Sequence, residues 1–180
     1  MGGPQPIYLV DGSGYIFRAY YAIRPLTTRD GTPTNAVLGF ARMLLKLLRE
    51  ERPVHLGIAF DTPEKNFRHQ LYPAYKANRE APPEDLVPQF ALIQELVLAM
   101  EIPRLQLVGY EADDVIATLA RQAVEAGHEV IGLDDFSKYG RLTKSYDEHP
   151  GYRFVEGDAK DTALLRDLAA IWALPAAAMA

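Results

Sequence analysis

The 180-residue chain is 48% apolar and 24% charged, a globular composition at a length that fits one domain with a sizeable core. Its net charge of −5 argues against a binder held by electrostatics alone, and the absence of cysteine excludes disulfides, thiolate nucleophiles and zinc–sulfur sites, so any metal must be held by oxygen or imidazole. No apolar run approaches membrane-spanning length and "MGGPQPIYLV" has neither a charged leader nor a long apolar stretch, so the expectation is a soluble, cytoplasmic protein with no membrane partner.

In chain order, "IYLVDG" predicts a buried strand stopped by a turn, with Asp11 at its carboxyl end. The "GSG" of residues 12–14 lacks the lysine of a phosphate-binding loop and does not fit a dinucleotide fingerprint, so its glycines are read as turn-formers. An aspartyl phosphatase would want a second acid two residues after Asp11, where this chain has Ser13. "TNAVLGFARMLLKLLREE" has helical apolar spacing, with Thr34 or Asn35 as its cap. "VHLGIAFD" is a second β-prone run ending in an aspartate, Asp61. "LVPQFALIQELVLAMEI" predicts an amphipathic helix, "RLQLVGY" a short strand, and "DDVIATLARQAVEAGH" a helix. "EVIGLDD" is a fourth strand candidate, ending at Asp134 and Asp135. The tyrosines of "RAYYAI" and Trp172 are assigned to the core, and no spacing among His55, His69, His128 and His149 suggests a ligand pair.

Strands separated by helices of this length imply crossover connections, hence an α/β fold with a mostly parallel central sheet and helices on both faces. Ligands bind such sheets outside the carboxyl ends of the strands. Asp11, Asp61, the cluster Glu111, Asp113 and Asp114, and Asp134 or Asp135 are therefore expected to converge on one edge. Helix capping alone explains one or two of the clustered acids. Several carboxylates held together raise one another's pKa unless a cation neutralises them, which points to a divalent metal. All-oxygen ligation favours Mg²⁺ or Mn²⁺, and two such ions about 4 Å apart suit phosphodiester hydrolysis.

The connection "TPEKNFRHQLYPAYKANREAPPED" is long and holds the basic patch that net charge conceals. Lys65, Arg68, Lys76 and Arg79 alternate there with Phe67, Tyr72 and Tyr75. Cations for phosphates interleaved with aromatics for bases form a single-strand clamp, against the plainer reading of a solvated loop.

The stretches "LVDGSGYIFRAYYAI", "PLTTRDGTPTNAVLGF", "IAFDTPEKNFRHQLYPAYKANREAPPEDL" and "VGYEADDVIATLA" resemble the N-terminal 5′–3′ exonuclease domain of bacterial DNA polymerase I, a relative of the flap endonucleases with a PIN-like, resolvase-like fold. The resemblance covers roughly residues 7 to 131. It implies that Asp11, Asp61, Glu111, Asp113 and Asp114 ligate or support catalytic metals, and that Arg18 and Lys76 stabilise charge at the scissile phosphate. Arg68, Tyr75, Lys76 and Arg79 would fall on a helical arch, at about residues 62–85, that grips the 5′ strand, with Tyr72 a further DNA-binding candidate in the same stretch. The implied activity is metal-dependent 5′–3′ exonuclease or 5′-flap endonuclease action on DNA 5′ ends, flaps and single-stranded arms, in replication or repair.

The chain departs from the family in two places. The family has two spaced aspartates after its fourth strand, whereas "GLDDFSKYGRL" puts Phe136 and Lys138 there, and a one-residue gap restores only Asp134. The helix-hairpin-helix part that follows in the family is absent from the sequence, so residues 1–180 are expected to form a single domain whose missing part, or a DNA polymerase, comes from elsewhere. The alternative is a catalytically weak DNA-binding remnant of the same family.

Overall fold

A computed structural model describes residues 7–134, 143–157, 163, 164 and 167. Its elements run β1 (Ile7–Asp11), α1 (Gly12–Ala22), α2 (Asn35–Glu50), β2 (His55–Ala59), α3 (Phe67–Leu71), α4 (Val87–Ala99), β3 (Arg104–Leu105), α5 (Ala112–Glu125), β4 (Val130–Asp134) and β5 (Tyr152–Glu156). Two compact units result, one of residues 7–116 and the other including everything from residue 117 onward.

In the first unit, β1, β2 and β3 form a parallel sheet in that order. Asp11 pairs with Ala59 and Ala59 with Leu105, so Asp11 and Asp61 leave the sheet at the same end. This is the parallel α/β arrangement that the alternation of apolar strands and helices implies. One core holds the sheet to the helices: Ile16 and Ala19 of α1, Phe40 and Leu44 of α2, Ile58, Phe60, and Ile93 and Val97 of α4 are all buried. Burying a side chain of the size of Phe40 or Ile93 is worth about 1.5–3 kcal/mol, so this cluster anchors the strand ends that carry the acids.

The glycines after Asp11 are not a separate turn. They open α1 directly, with the Asp11 carboxylate accepting from the Gly14 N–H at 3.1 Å as its N-cap. Gly12 is required there because a Cβ would lie 2.5 Å from the Phe60 ring. Of the adjacent tyrosines, Tyr20 packs against the core and its hydroxyl donates to Asp85 at 2.7 Å, but Tyr21 is exposed.

Neither Thr34 nor Asn35 caps α2 in the expected way, for Thr34 makes no capping bond through its side chain. The free N–H groups of Ala36 and Val37 are instead met by the side-chain oxygen of Gln89, at 2.7 and 3.2 Å. The amide nitrogen of that fully buried glutamine donates to Asn35 Oδ1 and to the Asp85 carbonyl, both at 2.9 Å. A residue of α4 thus caps α2 across the core.

β3 is shorter than "RLQLVGY" suggests. Only Arg104 and Leu105 pair, after which the chain turns through Gly109 at φ +86°, leaving Leu107 and Val108 exposed. The connection after β2 also departs from a continuous helix. α3 has five residues, and Pro73 removes the next N–H, so Tyr72 to Arg79 proceed as successive turns.

The second unit pairs β4 with β5 in parallel, Val130 against Tyr152 through Asp134 against Glu156. Ala120, Val124, Tyr146 and Tyr152 form its core. β5, "YRFVE", is a strand that the sequence reading did not single out, although a β-prone run bounded by Gly151 and Gly157 is its signal. Among the described residues no helix is long and apolar enough to cross a membrane.

Candidate functional site

At the carboxyl end of the three-stranded sheet the acids of the first unit fall into two groups with different partners. Asp11, half-buried at the end of β1, is pushed above the ordinary carboxylate range, chiefly by burial. The Gly14 N–H opposes that rise, while the negative charges of Asp113 and Asp61 add to it. Asp61 and Asp113 are therefore each close enough to Asp11 for their charge to act on it. Asp61 is positioned by Ser13, whose hydroxyl accepts from the Asp61 N–H at 3.0 Å. Its own carboxylate accepts from the Ala112 N–H at 2.8 Å, tying the end of β2 to the first turn of α5.

Glu111 and Asp114 form the second group, and the basic connection reaches them. Arg68 grips Asp114 through two nitrogens at 2.7 and 2.6 Å. Lys76 Nζ donates to Glu111 Oε1 at 2.5 Å, and the Tyr75 hydroxyl donates to Oε2 at 3.2 Å. Lys76 reaches inward from a left-handed backbone at φ 57°, a conformation uncommon outside glycine, asparagine and aspartate. Asp114 also accepts from the Glu111 N–H at 2.9 Å, so it caps the helix it belongs to while holding the arginine.

These contacts set the charges. Burial favours the neutral form of Glu111, but the bond to Lys76, with its charge and that of Arg68, outweighs burial and holds the carboxyl below its ordinary value. The Arg68 hydrogen bonds hold Asp114 low against the same penalty, and in return keep the guanidinium charged. Tyr75 is raised by burial and by the nearby Glu111 charge.

Of the other residues singled out in the sequence, Arg18 lies half-buried on α1 with its guanidinium 5.9 Å from the Tyr15 ring centroid. Tyr72 is 62% exposed just beyond α3, and Arg79 is exposed and near enough to Tyr75 to lower its pKa. Asp134 ends β4, but its side chain lies outside the described residues, as do Asp135, Phe136 and Lys138. Sequence reasoning overlooked Asn66, which is 5% exposed and donates to Glu111 Oε1 at 2.6 Å. Its signal was an asparagine directly before a short helical run, the preferred residue for an N-cap.

Among the described residues no three carboxylates or imidazoles gather into a preformed metal cage. The donor set nonetheless fits a hard divalent cation. Its ligand atoms are all carboxylate oxygens, the hard donors that Mg²⁺ and Mn²⁺ prefer, and the charges of Asp61 and Asp113 help to raise the pKa of Asp11.

Comparison with known proteins gives a consistent result. Residues 6–134 match the family described as "5'-3' exonuclease, N-terminal resolvase-like domain". A "DNA polymerase I" of Rhizobium leguminosarum is 54% identical over 69% of this chain, which spans 13% of that protein. A "5'-3' exonuclease" of Aquifex aeolicus (strain VF5) is 44% identical over 70% of the chain and is 44% covered. A "DNA polymerase I, thermostable" of Thermus thermophilus is 48% identical over 69%, and is 15% covered. The chain thus spans less than half the length of these relatives.

Proposed function

Because the chain belongs to the family of 5′–3′ exonuclease N-terminal, resolvase-like domains, we propose that it is a divalent-metal-dependent nuclease domain hydrolysing DNA phosphodiesters near 5′ ends or flaps. The observation that carries this reading is the pairing of two features at one sheet edge. Asp11, whose pKa is raised by burial and by the charges of Asp113 and Asp61, stands in the same unit as Glu111 and Asp114, which are already bound to the cations of a basic, tyrosine-rich connection.

In this reading Asp61, Glu111 and Asp113 would hold the metal, with Asp11 and Asp114 supporting them. Mg²⁺ or Mn²⁺ bound there supplies charge neutralisation and an acidified water for attack on phosphorus. The chain's own groups bind and orient. Lys76 exchanges its bond to Glu111 for the scissile phosphate, and Arg18 adds a second positive charge as negative charge develops on the phosphate oxygens. Tyr72 and Tyr75 offer faces on which 5′ bases stack, and Arg68 and Arg79 place positive charge along the strand. The relatives named DNA polymerase I carry their matching segment within much longer chains, which supports a polymerase or a further C-terminal part as partner.

The test is cleavage of a 5′-labelled flap DNA with Mg²⁺ or Mn²⁺, beside Asp113→Ala and a binding assay on the same DNA. Metal-dependent cleavage that disappears in Asp113→Ala is the expected result. Binding without cleavage would instead identify a DNA-binding remnant, the outcome favoured by Phe136 and Lys138 standing where the family has two aspartates.

A further inference from the structure

On the reading that this is a metal-dependent nuclease, we propose that Asn66 is a positioning residue that sets the Glu111 carboxylate for the metal and ties it to the basic connection. Asn66 is 5% exposed and both ends of its amide are engaged. Its Oδ1 accepts from the Arg68 N–H at 3.1 Å, capping α3, and lies 2.8 Å from His69 Nδ1. A backbone N–H can only donate, so this bond fixes which way the amide faces and turns Nδ2 toward Glu111 Oε1, 2.6 Å away. One residue on, the Phe67 N–H donates to the Gly109 carbonyl at 3.0 Å. Residues 66 and 67 therefore clamp residues 109–111 by two independent bonds.

The charged partners of Glu111 differ from Asn66 in kind. Lys76 and Arg68 sit on long stems with side chains 24% and 31% exposed, and they are the groups that a bound phosphate would attract away. Asn66 is buried, anchored by its cap and neutral. It orients the carboxylate without cancelling its charge, so Glu111 remains an anion in a fixed rotamer when Lys76 turns to the substrate. Carboxylates that ligate metals depend on such hydrogen bonds, and losing one costs about 10–100-fold in metal affinity.

The experiment measures Mn²⁺ affinity by the electron paramagnetic resonance signal of the free ion, for the whole chain as wild type, Asn66→Ser and Asp113→Ala, with thermal unfolding of each without metal. Serine keeps an oxygen that caps α3 but is too short to reach Glu111. The expected result is Mn²⁺ binding weakened about 10-fold in Asn66→Ser, with the melting temperature close to wild type. Asn66→Thr, which keeps the cap and fills more of the vacated volume, serves in its place if the serine variant unfolds. Unchanged Mn²⁺ affinity in a folded variant overturns the role of Asn66 and leaves the nuclease reading standing. A wild type that binds no Mn²⁺, or Asp113→Ala binding as tightly as wild type, overturns the metal reading and this inference with it.

Discussion

Arg68 and Asp114, 46 residues apart, meet through two parallel hydrogen bonds of 2.7 and 2.6 Å, and the same carboxylate accepts from the Glu111 N–H. One side chain therefore secures the basic connection and closes the first turn of α5 together. Planar two-point recognition of this kind is specific to arginine. Arg68→Met leaves a half-buried carboxylate without its counter-charge, and the expected cost is about 1–3 kcal/mol. Arg68→Lys should recover less than half of that loss, as read by urea unfolding.

Acid should loosen the same contacts. The folded-state pKa values of Glu111 and Asp114 are lowered, so their contribution is fully present above the ordinary carboxylate range and is lost as pH falls through it. The melting temperature is expected to drop by several degrees between about pH 5 and pH 3, and Arg68→Met should flatten that limb. A limb of equal steepness in the variant would show that other carboxylates govern acid unfolding.

Asp11 behaves in the opposite sense. Its pKa is raised, so the charged form burdens the folded state at neutral pH and the burden lifts as pH falls. Asn at this position keeps an oxygen to accept from the Gly14 N–H and removes the charge. Asp11→Asn is expected to raise the melting temperature without metal by about 1–3 °C while weakening Mn²⁺ binding. Calorimetry with and without Mn²⁺ checks both halves, and a lowered melting temperature in metal-free buffer would contradict the first.

Gln89 answers to the core rather than to the site. Gln89→Leu preserves bulk but strands the N–H groups of Ala36 and Val37 and the Asn35 Oδ1 inside the protein. Each stranded group costs about 1–3 kcal/mol, so a loss of at least about 3 kcal/mol in all is expected from denaturant unfolding. A loss under about 1 kcal/mol would mean that water replaces the amide.

The sequence by itself determined the alternation of strands and helices, the parallel sheet, and the placement of Asp11 and Asp61 at one edge, because hydrophobic periodicity and crossover length are local signals written by burial. It also placed Arg68, Tyr75 and Lys76 in a basic stretch set apart from the acids along the chain. Tertiary structure alone decided the pairings. Lys76 binds Glu111 and Arg68 binds Asp114 across tens of residues, Asn66 is buried against Glu111, and Gln89 caps a helix that Thr34 does not. A polar side chain's partner depends on which distant groups the packed core brings within about 3 Å, and residue type and spacing carry no trace of that distance. The short β3 and the five-residue α3 were decided in the same way, since the Gly109 turn and Pro73 end them where the surrounding chain changes direction.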